Sequence, residues 1–269
     1  MATRITLRLA GPKDDTTPIR FRDFVKQLDL VRRALKETDR VVTESPNGSV
    51  VFGVVDLKRS SPAQIVLEAE PVRPEVDKTE VVVGAFCGAL REIQDRRMAP
   101  VGFDSAALRA YQGLVAMMGV GLSEFAVICN GSAIHLTREL HTNVEAILGP
   151  KHYGVGTVIG RLEKINLHRE QNVFTVYPKG GPARGITCHF ARSQVEVAVA
   201  AVSQHVEVTG RLTYNSVDPY PECVTVWWVD VDEGAGRQAP RLADLVGMAP
   251  NATRDELSED FVRRLRDGW

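Results

Sequence analysis

From Gly154 onward the chain switches to short Val- and Thr-rich segments that follow one another closely, with room for only one short helix among them. Val155, Thr157, Ile159, Arg161 and Leu162 open a long first strand; Gly154, Gly156 and Gly160 lie along it, where glycine marks the bends a closing sheet needs. Val173 to Tyr177 forms a second strand, and Lys179-Gly180-Gly181-Pro182 turns the chain into a third, Gly185 to Phe190. Arg192 to Val202, rich in Ala and Val with polar Ser193, Gln194 and Glu196, is the length of one helix. His205 to Leu212 and Val224 to Val229 supply the last two strands.

The order β-β-β-α-β-β, with the phrase Val206-Glu207-Val208-Thr209-Gly210-Arg211-Leu212 on its fourth strand, resembles the OB fold. That resemblance implies a five-stranded barrel over residues 151–232, with a binding face on its second and third strands for oligonucleotides, oligosaccharides or protein partners. Residues 151–190 carry basic Lys151, Arg161, Lys164, Arg169, Lys179 and Arg184 against acidic Glu163 and Glu170, whereas 191–232 reverse the balance. Lys164, Arg169, Phe174, Tyr177, Lys179 and Arg184 are therefore the candidate contacts to a single-stranded nucleic acid, which needs cations for phosphates and rings for bases.

The front of the chain alternates strand and helix periods. Ile5, Leu7 and Leu9 share one face of a strand and Arg4, Thr6 and Arg8 the other. Phe21, Phe24, Leu28, Val31 and Leu35 then follow helical spacing, and Ser49–Leu57 with Gln64–Glu70 reads as a hairpin. A β-α-β-β unit over 1–72 follows, with a joint expected at the proline-bearing stretch Glu70 to Glu75. Helices carrying Val83, Phe86, Leu90, Ile93 and then, after Asp104 as N-cap, Leu108, Leu114, Val115 and Met118 open a second unit over 73–150. Asn130-Gly131 between two strand-like flanks marks a tight hairpin, and Thr137 caps a last helix through Leu140, Val144 and Leu148. The fold class expected is α+β: β-α-β-β and α-α-β-β-α units, an OB-like barrel, and a C-terminal helical tail.

Composition excludes several classes. Lys plus Arg at 33 against Asp plus Glu at 34 leaves a net charge of -1, so no global field draws the chain to nucleic acid or an anionic membrane. No stretch has the apolar length of a membrane span, and the first residues lack the apolar core of a secretion signal, so no membrane contact and a cytoplasmic location are expected. Cys87, Cys129, Cys188 and Cys223 are scattered, which reads as buried free thiols. The histidines are isolated, and Cys188-His189 cannot pair on a strand because adjacent side chains point apart. With no phosphate loop, zinc-hydrolase phrase or nucleophile elbow, no catalytic residue, metal ligand or cofactor is assigned.

The tail, 233–269, begins as a Gly-rich linker. A capping box at Thr253-Arg254-Asp255-Glu256 then leads into a helix whose Leu257, Phe261, Leu265 and Trp269 recur every four residues. Phe261 to Asp267, with Arg263, Arg264 and Arg266, is similar to the C-terminal segments with which bacterial antitoxins occupy a toxin's groove. The resemblance implies Leu257, Phe261, Leu265 and Trp269 as apolar anchors and the three arginines as partners for acidic residues. The reading is thus a non-catalytic protein-interaction module of antitoxin or immunity type; the alternative is a protein that binds single-stranded nucleic acid through its barrel.

Overall fold

The structure is a computed structural model describing residues 3–12, 18–45, 47–58, 62–168, 172–178, 184–231 and 258–267. It divides into two compact units, Met1–Asp230 and Val231–Trp269. The fold is mixed α+β, with two sheets in the first unit.

Strand β1 (Thr3–Ala10) is the axis of the first sheet. It pairs antiparallel with β3 (Ala63–Pro71) through Ile5↔Leu67 and with β4 (Glu124–Cys129) through Leu7↔Val127. With β2 (Val50–Lys58) and β5 (Ser132–His135) at the edges, the order is β2-β3-β1-β4-β5. The sheet is built from both sides of the proline-bearing stretch at 70–75, and one core spans it. That outcome follows from β1, whose two edges must both be satisfied.

The period-2 pattern of β1 decides the layers. Ile5, Leu7 and Leu9 are fully buried under four helices, α1 (Phe21–Thr43), α2 (Thr79–Arg91), α3 (Ser105–Gly113) and α4 (Glu139–Leu148). Arg4 and Arg8 stand on the opposite face, where they meet Glu68 at 2.6 Å and Glu124 at 3.6 Å. Within the core the Tyr111 hydroxyl shares a 2.7 Å hydrogen bond with Thr38, so its polar end is satisfied where water cannot reach. The Asn130-Gly131 turn has φ of 50° and 77°, the positive values the sequence pattern calls for. Asp104 caps α3 by accepting from the Ala107 amide at 2.9 Å.

Beyond α2 the helix passes into a π-helical turn, Glu92–Arg96. Asn143 donates to the carbonyls of Ile93 and Gln94, both at 3.0 Å, and so satisfies groups that the wider turn releases.

The second sheet contains β6 (His152–Asn166), β7 (Val173–Pro178), β8 (Ile186–His189), β9 (His205–Tyr214) and β10 (Cys223–Val231). Its order, β10-β8-β7-β6-β9, closes on itself, with β10 parallel to β8. The segment after β8 is a 3-10 turn, Arg192–Gln194, followed by α5 (Val195–Ala200), so the helix expected there is present. Closure requires close backbone approach at two glycines. A side chain on Gly160 would meet the Tyr177 carbonyl, and one on Gly210 the Thr225 carbonyl.

The expectation of free thiols is corrected for one pair. Cys87 on α2 and Cys129 on β4 form a disulfide across a Cα–Cα distance of 6.4 Å, both buried in the helix-covered core. The bond closes a loop of 42 residues in sequence, which constrains the unfolded chain. Cys188 and Cys223 are free. The structure has no helix long and apolar enough to cross a membrane, among the described residues.

Replacing both Cys87 and Cys129 by Ala should lower the unfolding free energy by about 2–4 kcal/mol, read from complete urea-unfolding curves fitted with each variant's own slope.

Candidate binding surfaces

A loop between β9 and β10, residues 215–222, holds the closed sheet to the helix-covered one. Asp218 is its centre. The Asp218 carboxylate accepts from the Ser105 amide at 3.1 Å, from Asn215 Nδ2 at 3.0 Å and from the Arg184 guanidinium, which also donates to the Ser105 hydroxyl at 2.8 Å. Beside it Arg109 of α3 meets Glu222 at 2.6 Å, and the Ser216 amide donates to the Leu148 carbonyl at 2.9 Å. Burial alone pushes the Asp218 carboxyl up, but the hydrogen bonds from Asn215 and Ser105 and the charge of Arg184 outweigh it and hold the group below its ordinary value.

This loop decides the fate of Arg184. The residue, named from sequence as a candidate nucleic-acid contact, is engaged by Asp218 and Ser105 in a structural joint. Phe174 is displaced from that set as well: it is 1% exposed and lies against Phe190 inside the closed sheet, ring centroids 5.1 Å apart. Arg169 and Lys179 lie outside the described residues. Lys164 and Tyr177 remain together on the outer surface, the ammonium 5.9 Å from the ring centroid.

Two further groups of exposed side chains on the closed sheet were not singled out from sequence. Tyr153, Val155 and Ile159 are exposed along the first half of β6, with the Arg211 guanidinium 5.3 Å from the Tyr153 ring. Trp227 and Trp228 are both exposed on β10, edge to face at 6.5 Å. Their adjacency was the signal, because neighbouring strand residues point to opposite faces and at least one indole had to leave the interior. Gln194 holds the strand there by donating to the Trp227 carbonyl at 2.8 Å.

No group of three or more His, Cys, Asp or Glu residues is placed to hold a metal ion, among the described residues. Cys188 is buried and His189 exposed, the opposite orientations expected of strand neighbours, and burial followed by the nearby Cys223 pushes the Cys188 thiol up to about 12. His135 faces Glu124 at 3.5 Å on an exposed part of the first sheet.

In the second unit, α6 (Ser258–Asp267) carries the tail's described residues. The Arg264 guanidinium lies 5.2 Å from the half-buried Phe261 ring, and Arg263 is 3.6 Å from Asp260. Leu257 and Trp269 lie outside the described residues, as do the side chains of Leu265 and Arg266.

Because the folded Asp218 carboxyl is depressed, its contribution to stability is complete above the unfolded-chain value of about 3.9 and is lost as pH falls through the lower folded value. Asp218→Asn should cost about 2–3 kcal/mol at pH 7 by leaving Arg184 without its charge partner, and should flatten the acid limb of stability against pH. Urea midpoints between neutral and acidic pH check both effects. No family model matches the chain, and neither a curated protein nor a solved structure does.

Proposed function

We propose that the chain is a non-catalytic protein-interaction module, in which the C-terminal helix is the partner-binding element and the closed sheet is an OB-like barrel. The observation that carries this reading is the tail: α6 falls in a compact unit separate from residues 1–230, and its sequence sets an apolar residue at every fourth position beside arginines. An amphipathic helix needs a surface for that stripe, and a groove on another protein supplies one. Phe261 and Leu265 would anchor it, with Leu257 and Trp269 extending the stripe; Arg263, Arg264 and Arg266 would pair with acidic groups, as in the antitoxin segments the tail is similar to. The barrel assignment is supported by the strand order, which in chain sequence joins the first strand to the second and fourth and sets the third parallel to the fifth.

Phe261→Ala removes one anchor and leaves linker and cap intact. Binding to a co-purifying protein should fall at least about tenfold, while the melting temperature stays within about a degree of the parent. Unchanged binding with lowered stability would refute the reading.

A second reading, single-stranded nucleic-acid binding, is favoured by one arrangement: the Lys164 ammonium over the Tyr177 ring. On that reading Tyr177→Ala should cost about 1–3 kcal/mol of binding to an arbitrary oligonucleotide. The affinity should also fall steeply with salt. A filter-binding titration with no salt-sensitive retention at low ionic strength excludes it.

A further inference from the structure

The first sheet has two edge strands, and they differ in length: β5 is four residues, β2 nine. Two hydrogen bonds give the direction of the backbone groups along β2. The Val72 amide donates to the Ser49 carbonyl at 2.8 Å, one step beyond the pair Val50↔Pro71, whereas the Val50 amide turns the other way and donates to Asp39 at 3.0 Å. In an antiparallel pair that direction alternates from residue to residue. Val51 and Gly53 therefore face β3, and the amides and carbonyls of Phe52 and Val54 point out along the open edge.

This edge lacks the proline and the central charges that commonly keep edge strands apart. No charged residue stands between Val50 and Val55, and Val51, Val54, Val55 and Leu57 are exposed, Val54 the most at 61%. The charged side chains lining the groove between α1 and β2 are Asp29, Asp39, Arg32 and Lys36, two of each sign, with Arg32 on Asp29 at 2.8 Å. Their balance sets up no repulsion against a like surface. The free run is also bounded at both ends: Val50 is held by Asp39, and a bulge breaks the ladder between Val54 and Asp56. Gly53 lies midway between Val50 and Asp56. A second β2 laid antiparallel about Gly53 sets Phe52 of each copy against Val54 of the other, so the outward donors and acceptors of both strands satisfy one another. In the same register Val51 meets Val55, and apolar side chains oppose apolar ones on both faces.

We propose that the edge of β2 pairs with β2 of a second copy about a two-fold axis at Gly53, joining two five-stranded sheets into one. The paired run, residues 51–55, is short, so the association is weak. The edge lies within residues 1–230 and needs nothing from the tail.

Sedimentation velocity of the full chain over roughly 1–200 µM should show a monomer–dimer equilibrium. Val54→Pro removes an amide that points away from β3, so it should raise the dissociation constant at least roughly tenfold while the melting temperature stays within about two degrees of the parent. The register has its own readout. Facing residues that do not hydrogen-bond to each other lie about 4.5 Å apart at Cα, within reach of a disulfide, and a Cβ on Gly53 meets nothing within 4 Å. Gly53→Cys should therefore give a covalent dimer on non-reducing gels after mild oxidation, and the parent, whose free thiols are Cys188 and Cys223, should not. Phe261→Ala should dimerise as the parent does. A monomer throughout that range, a dimer that Val54→Pro leaves intact, or a Gly53→Cys chain that does not cross-link would overturn the proposal. So would a dimer lost in Phe261→Ala, because the contact would then belong to the tail.

Discussion

The carboxylate of Asp218 gathers the Ser105 amide, the Asn215 side chain and the Arg184 guanidinium at one point; Ser105 opens α3, while Asn215 and Arg184 lie in loops beside strands of the closed sheet. Its side chain is 5% exposed, so each of those bonds replaces water that the site excludes. Asp104, next in sequence to Ser105, caps α3 and accepts both Oδ atoms' bonds from Arg40 of α1, at 2.9 and 2.8 Å. The start of α3 is therefore fixed twice, by α1 from one side and by the 215–222 loop from the other.

That use of the loop shapes what the rest of the chain can do. In a closed five-stranded sheet the loops beside the second and third strands are natural recognition elements, but here the loop after the fourth strand is spent on internal docking. Among the exposed surfaces of the described residues are the outer face of the closed sheet, with Tyr153, Trp227 and Trp228, and the side of β2 that bears Val54 and Leu57. Each offers apolar area.

Much of this architecture was legible in the sequence because local chemistry and tertiary need agree. The alternation of Ile5, Leu7 and Leu9 already assigned β1 a buried face, the Asn130-Gly131 turn already fixed the β4–β5 hairpin, and the Ala-rich run after Arg192 already excluded another strand. The errors arose where distant residues meet. Cys87 and Cys129 are joined only because α2 packs across β4, and Arg184 is occupied only because Asp218, far along the chain, returns to it. Phe174 is instructive in another way: it and Tyr177 are three apart on one strand, so parity sets them on opposite faces and they could not have formed one stacking surface.

The central structural claim, that Arg184 and Asp218 act as a coupled pair in holding Ser105 at the start of α3, is tested most directly by a double-mutant cycle. Arg184→Ala, Asp218→Asn and the combined variant, compared by urea unfolding at pH 7, should give an interaction energy of about 2 kcal/mol. Additivity within about 0.5 kcal/mol would contradict the claim and leave the joint to the neighbouring Arg109–Glu222 pair and the backbone bond at Ser216.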